Sequence, residues 1–286
     1  MAYKTITYAV EDRILTITLN RPEKLNAYCE DMHHDMFKAM DEAEADDNIR
    51  VIIVTGEGRA FCAGMDLGKG NDTFNYGELD ENPDWSEYRD LGGMLALRFY
   101  ESTKPMIAAI NGPAVGVGIT MTLPMDIRLA SEDSKMGFVF VRRGVMPDGC
   151  ANWFLPKLVG VGQSLEWFLS GKIFSAAEAR ERGLISSIYP ADQLLSKAKK
   201  IAMDIAENTS AVSVALTRQM VWRMAGADHP MEAHKVETRG FYYTGRSEDA
   251  NEGIMSFIEK RKPVFTNSPV SDMPPFYPWW KEPEFN

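Results

Sequence analysis

Two glycine-rich turns offer backbone groups that could do chemistry. FCAGMDL (61–67) follows the β-branched run IRVIIVTG (49–56), and NGPAVGVGIT (111–120) follows KPMIAAI (104–110). A buried strand that runs into such a turn presents main-chain N–H groups at its end. Two of these donors converging on one point would form an oxyanion hole, polarising a carbonyl and making its neighbouring C–H protons removable. The same glycines also serve tight turns and close packing. GVG is not G-x-G-x-x-G, so a dinucleotide fingerprint is not supported. A carboxylate of interest, Asp148, sits in GVMPDGCANWFLPKLVG (144–160), where Pro-Asp-Gly is also ordinary turn chemistry.

The elements that must position these turns follow from periodicity. Residues 3–9 and 13–19 alternate and are rich in β-branched side chains, with Glu11-Asp12 between them, which predicts a hairpin. Met32, Met36, Phe37 and Met40 recur at helical spacing over 30–46. Buried strands are expected at 49–56, 104–112 and 125–131, and helices at 86–103, 116–124 and 163–171. SAAEARERGL (175–184) reads as a helix with Ser175 as N-cap, Glu178 in the capping-box position and Gly183 as its stop. The order hairpin, helix, buried strand points to a layered α/β fold. From about 190 the text turns helical, over 191–225 and 230–262, and a Pro- and aromatic-rich segment follows. The chain therefore divides into a core over 1–190, a helical region over 191–265 and a tail over 266–286. The tail is expected to pack onto a surface, with Phe276, Tyr277, Trp279 and Trp280 covering the subunit rather than touching substrate. Gly68 to Trp85 reads as a loop.

Composition narrows the field. The 286 residues are 45% hydrophobic and 25% charged, which suits a globular protein with a large core. The net charge of −10 argues against general binding of nucleic acid or of an anionic membrane, without excluding a phosphate held by local cations. Cys29, Cys62 and Cys150 form neither a disulfide framework nor a CxxC metal pattern, and no His/Cys/carboxylate cluster suggests a metal. MAYKTITYAV has no basic-then-apolar leader and no stretch reaches the roughly 20 apolar residues of a span, so a cytoplasmic protein is expected. His33 and His34 are read as plain residues of a surface helix, and Asp66 as structural.

Several blocks, taken together and in order, resemble the crotonase (enoyl-CoA hydratase/isomerase) superfamily. They are LTITLNRPEKLNA (15–27), VIIVTGEGRAFCAGMDL (51–67), KPMIAAINGPAVGVG (104–118), MDIRLAS (125–131), GKIFSAAEARERGLI (171–185) and EGIMSFIEKRKPVF (252–265). The resemblance implies a core of ββα turns forming a spiral of packed sheets. It also implies a C-terminal helical region that builds trimers, which commonly pair into hexamers. It implies no prosthetic group, with coenzyme A entering as part of a thioester substrate. The oxyanion-hole amides would be those of Met65 and Val117. The CoA adenine would lie near Phe61–Ala63 and Lys24. Phe257 and Lys260 would approach the CoA from the same or a neighbouring subunit.

The sequence departs from the hydratase form of the family where water addition would need two carboxylates. Thr120 stands at the first of those positions and Phe140 at the second. Asp148 remains, and its turn resembles that of peroxisomal-type Δ3,Δ2-enoyl-CoA isomerases, where a glutamate occupies the slot. One carboxylate suffices to move a proton from C2 to C4 through a dienolate. The resemblance therefore implies an isomerase-like enzyme, with a hydratase or hydrolase using another acid, or a non-catalytic CoA-ester binder, as alternatives. Arg142 and Arg143, with Phe138 and Phe140, are candidate walls of the acyl pocket.

Overall fold

The computed structural model describes residues 3–74 and 88–285. Most of the expected loop 68–85, and the start of the helix expected at 86–103, lie outside the described residues. The alternating N-terminal segment forms a hairpin of β1 (Ile6–Glu11) and β2 (Ile14–Leu19), with Ile6 opposite Leu19. Its loop is Asp12-Arg13, both at positive φ (50° and 64°), one residue beyond the expected turn. Two positive-φ residues match the right-handed twist of the flanking strands.

Helix α1 (Glu30–Ala45) buries Met32, Met36, Ala39, Met40 and Ala43. Strand β3 (Val51–Gly56) then runs parallel to β2. After α2 (Leu91–Tyr100) come β4 (Met106–Ile110), the two-residue β5 (Ala114–Val115) and α3 (Val117–Thr120), a single turn where a longer helix is expected. Next are β6 (Ile127–Ser131), β7 (Lys135–Gly137), α4 (Ala151–Val159), α5 (Val161–Ser170), β8 (Ile173–Ser175), α6 (Ala176–Glu181) and β9 (Ser187–Tyr189). The helical region comprises α7 (Ala191–Asn208), α8 (Ala211–Met224), α9 (Pro230–Thr244) and α10 (Glu248–Glu259).

Six strands form one sheet in the order β1-β2-β3-β4-β6-β9, parallel from β2 onward, and β5-β7-β8 form a second, smaller one. Each parallel step needs a crossover through helix, so successive turns of chain wind into a spiral of packed sheets. Side chains alternate between the faces of a strand. Ile52, Val54, Met106, Ala108 and Ile110 point into the main core with α1 and α2. Val51, Ile53, Ile107 and Ala109 point the other way.

That second face is covered by α7 through Leu194, Ala198, Ala202 and Ala206. Alanines four residues apart share one helix face and let α7 approach the sheet closely. The compositional change near residue 190 therefore does not separate α7 from the sheet it covers. Helix α8 is tied down by Arg218, only 6% exposed, whose Nε donates to Asp126 Oδ2 at 2.9 Å and whose other nitrogens reach the carbonyls of Phe99, Tyr100, Ser102 and Pro124. A buried guanidinium is tolerable only when paired and saturated in this way.

At α6, Ser175 accepts from Glu178 N–H at 3.1 Å, as expected of its N-cap. Glu178 does not complete the box. Its carboxylate turns to Trp167 Nε1 (3.0 Å) and Lys172 (3.1 Å). The tail lies on the helices: Arg223 is stacked between Tyr100 (4.3 Å) and Trp280 (3.9 Å) and paired with Glu282 at 2.8 Å. Among the described residues no helix is long and apolar enough to cross a membrane.

Candidate active site

The two glycine-rich turns lie side by side. Cys62 and Ala114 form an isolated parallel bridge, in which Cys62 N–H donates to Pro113 O and Val115 N–H to Cys62 O, both at 3.0 Å. The first turn is also bridged to Tyr28, which uses the N–H of Asp66 and the carbonyl of Gly64 and leaves Met65 N–H pointing away. On the second turn Gly116 N–H donates to Gly137 O, and Val117 opens α3, whose first N–H has no intrahelical acceptor. Among the described residues, neither Met65 N–H nor Val117 N–H meets an acceptor. A Cβ built on Gly116 would stand 3.9 Å from Gly64 Cα, which measures how closely the turns approach. One on Gly118 would overlap the Cys62 carbonyl oxygen, so glycine is required for this contact. The arrangement supplies two unpaired backbone donors on adjacent turns, the chemistry of an anion-stabilising hole.

Asp148 lies at the Val117 end of this arrangement. A Cβ on Gly92 would be 3.3 Å from both Asp148 Oδ2 and Val117 Cγ2, and one on Gly149 would be 2.6 Å from Thr120 Oγ1. Asp148 as a residue is half-buried, but its Oδ1 is fully buried without a hydrogen-bond partner among the described residues. Burial first, and then the negative charge of Asp90, push its carboxyl up to about 7, against smaller opposing effects of its own backbone N–H and the Thr120 hydroxyl. A carboxyl poised near neutrality can both take and return a proton.

A cleft of about 950 Å³ opens over Met65. Tyr28, Leu91 and Met65 line it, and its charged wall is mixed: Arg21, Lys24, Lys69 and Arg89 stand with Glu30, Asp31 and Asp66. Lys24 is exposed here, whereas Arg21 is engaged with Asp66 at 2.7 Å and with Ala27 O. Asp66 thus has a structural occupation and also caps the 67–72 turn through Gly68 N–H. Ala63 is half-buried beside the cleft segment, and its N–H is spent on Leu25 O. The Phe61 side chain is fully buried in the core, so any ligand contact there falls to its backbone. Phe257, 84% exposed, and Lys260 lie at the end of α10 and do not line the cleft in the single chain.

Sequence reasoning missed several residues. His33 is buried rather than a plain surface residue. Its Nδ1 lies 2.9 Å from the hydroxyl of Tyr28, and desolvation lowers its pKa. Its place on the inner face of α1 beside Met32 and Met36 was the available signal. Asp90 beside Asp148, and the cations Lys69 and Arg89, had no signal beyond their residue type. Of the expected pocket walls, Phe140 does stand by the site, with Cζ 4.0 Å from a Cβ on Gly116. Phe138 instead belongs to an aromatic core with Trp167, Phe168 and Phe174, and Arg142 donates to Ser170 O at 2.8 Å.

The fold recurs in known proteins. The chain is 43% identical over 258 residues to an Alternaria alternata enoyl-CoA hydratase, covering 90% of this chain and 84% of that one. It is 33% identical to the 1,2-epoxyphenylacetyl-CoA isomerase of Escherichia coli, covering 90% and 96%. A crystal structure of a probable enoyl-CoA hydratase/isomerase from Mycobacterium abscessus superposes with a TM-score of 0.83 at 32% identity, over 92% of this chain and 99% of that one. The enoyl-CoA hydratase/isomerase family model matches residues 9–268, from the first hairpin through α10, so the chain belongs to that family.

Proposed function

We propose that the protein is an acyl-CoA-processing enzyme of isomerase type. The thioester carbonyl of a 3-enoyl-CoA sits between the amides of Met65 and Val117. Asp148 removes a C2 proton, and the electron pair moves onto the carbonyl oxygen as a dienolate held by the two amides. The protonated Asp148 then returns the proton at C4, and the double bond shifts to C2–C3. The observation that carries this reading is the buried, unpaired Oδ1 of Asp148 beside Val117, in a site where Thr120 and Phe140 replace the two hydratase carboxylates. The basic residues Lys24, Lys69 and Arg89 of the cleft suit the phosphates of CoA. Ala63 and the Phe61 backbone do not line that cleft, and the family resemblance alone puts the adenine near them. Phe257 and Lys260 would reach the CoA of a neighbouring subunit in a trimer or a dimer of trimers. The exposed apolar side chains Ile254, Phe257 and Ile258 on α10 support such assembly.

A second reading, hydration or hydrolysis, is favoured by the hydratase names of the 43%-identical relatives. Thr120 and Asp148 would then order the attacking water. One experiment separates the readings: trans-3-hexenoyl-CoA and trans-2-hexenoyl-CoA are incubated in H₂¹⁸O with the wild type and with Asp148→Asn. Isomerisation predicts 2-enoyl product without label, lost in the variant while ligand binding persists. Labelled 3-hydroxyacyl product, or full isomerase activity in Asp148→Asn, refutes it. Binding without turnover of any thioester would instead identify a CoA-ester-binding protein.

A further inference from the structure

The turn that carries Asp148 is held from behind by a second carboxylate. Asp90 is the N-cap of α2, and its Oδ1 accepts from Gly93 N–H. The same oxygen is 3.4 Å from the N–H of Gly149, the residue after Asp148. Capping explains the first contact. It does not explain the second, which joins α2 to a turn far along the chain. Asp148 folds back over the same helix start, with its carboxyl 3.3 Å from where a Gly92 side chain would begin. Two acids therefore meet across the glycine pair Gly92-Gly93, where larger residues would keep them apart.

We propose that Asp90 is a positioning residue for Asp148, fastening the 147–150 turn to the first turn of α2 and keeping a negative charge beside the reacting carboxyl. The inference rests on Asp148 being the proton carrier. The charged and titratable groups around it are few. Asp90 faces it from α2 and Thr120 from α3, while Cys150 at the head of α4 and Tyr28 ahead of α1 feel both acids. Arg89, next to Asp90 in the chain, is the cation of this corner and acts on Cys150, whereas the charge acting on Asp148 itself is that of Asp90. Like charges held close disfavour ionisation of one of them.

The test uses Asp90→Asn and Asp90→Ser in the full chain, because both residues still cap a helix. Isomerisation of trans-3-hexenoyl-CoA is followed from pH 5 to pH 9. The Asp148 carboxyl is titrated separately by infrared difference against Asp148→Asn. Both variants should fold and should move the acid limb and the infrared midpoint to lower pH. With a carboxyl near 7 only about a tenth is ionised at pH 6. The rate at pH 6, relative to the alkaline plateau, should therefore rise roughly two- to tenfold. An N-cap of purely structural value would change thermal stability and leave both midpoints in place, which would overturn the proposal. If Asp148→Asn keeps its activity, the functional reading falls. The infrared midpoint still decides whether Asp90 acts on Asp148.

Discussion

Asp148→Asn should make the protein more resistant to denaturation at alkaline pH while removing its activity. Asp148 is an acid whose pKa is raised on folding, from its ordinary 3.8 to about 7. Between those values the native state holds a proton that the unfolded state has released, so stability falls as pH rises through this window. At about 1.4 kcal/mol per pH unit, the full span corresponds to roughly 4 kcal/mol. Between pH 5 and pH 8 the wild type should lose at most about 2.5 kcal/mol through this group, and 1–2 kcal/mol once partial solvent access is allowed for. Asparagine does not titrate, so that slope disappears in the variant. Any fixed cost of burying its amide is the same at both pH values and cancels from the comparison. Urea denaturation of both proteins at pH 5, 6.5 and 8 provides the measurement. The curves should converge toward low pH and separate with the variant favoured at pH 8. Parallel curves would refute the assignment of a buried, proton-holding carboxyl.

Gly118→Ala places a methyl group into the Cys62 carbonyl, forcing the two glycine-rich turns of the proposed oxyanion hole apart. A displacement of about 1 Å at a reacting centre costs on the order of 100-fold, so kcat should drop by that factor while KM changes little; activity within twofold of wild type would count against the paired-turn geometry. Arg218→Ala takes the cation from Asp126, which keeps only the neutral donors Met106 N–H and Trp222 Nε1, and removes a donor from the buried Phe99 and Pro124 carbonyls; it should cost about 3–5 kcal/mol by urea melt, with Arg218→Lys recovering only a fraction. Arg223→Ala removes the plate between Tyr100 and Trp280 and should expose the tail to protease, with cleavage beyond residue 265 appearing at protease levels that leave the wild type intact.

Much of the scaffold was legible because its signals are local. Alternation gives β1 and β2, a β-branched run gives β3, and the methionine spacing of α1 gives its buried face. Boundaries moved, as at α3, which is a single turn packed at Gly118 on the Cys62 backbone. The helical text of α7 was legible, but its alanines at every fourth position gain their meaning only from the sheet they pack on. At the site, Asp148 was legible as a candidate through its turn motif. Asp90 was not, because its meaning depends on a turn about sixty residues away along the chain. His33 was read as a plain residue of a surface helix, but it sits on the inner face of α1 against Tyr28.

The order of strands in the large sheet also bears on how the chain is made. Spatial order β1-β2-β3-β4-β6-β9 is chain order, so every new strand joins a free edge and none has to be inserted between neighbours already paired. A ribosome releasing the chain from its N-terminus would therefore let the sheet grow one edge at a time. Its outer face, with Val51, Ile53, Ile107 and Ala109, stays uncovered until Leu194 through Ala206 arrive. A nascent chain ending near residue 190 would carry a nearly complete sheet with one greasy side open, the state in which a chaperone would be expected to find it. Synthesis of α7 is then the event that closes the fold, well before the tail reaches Arg223.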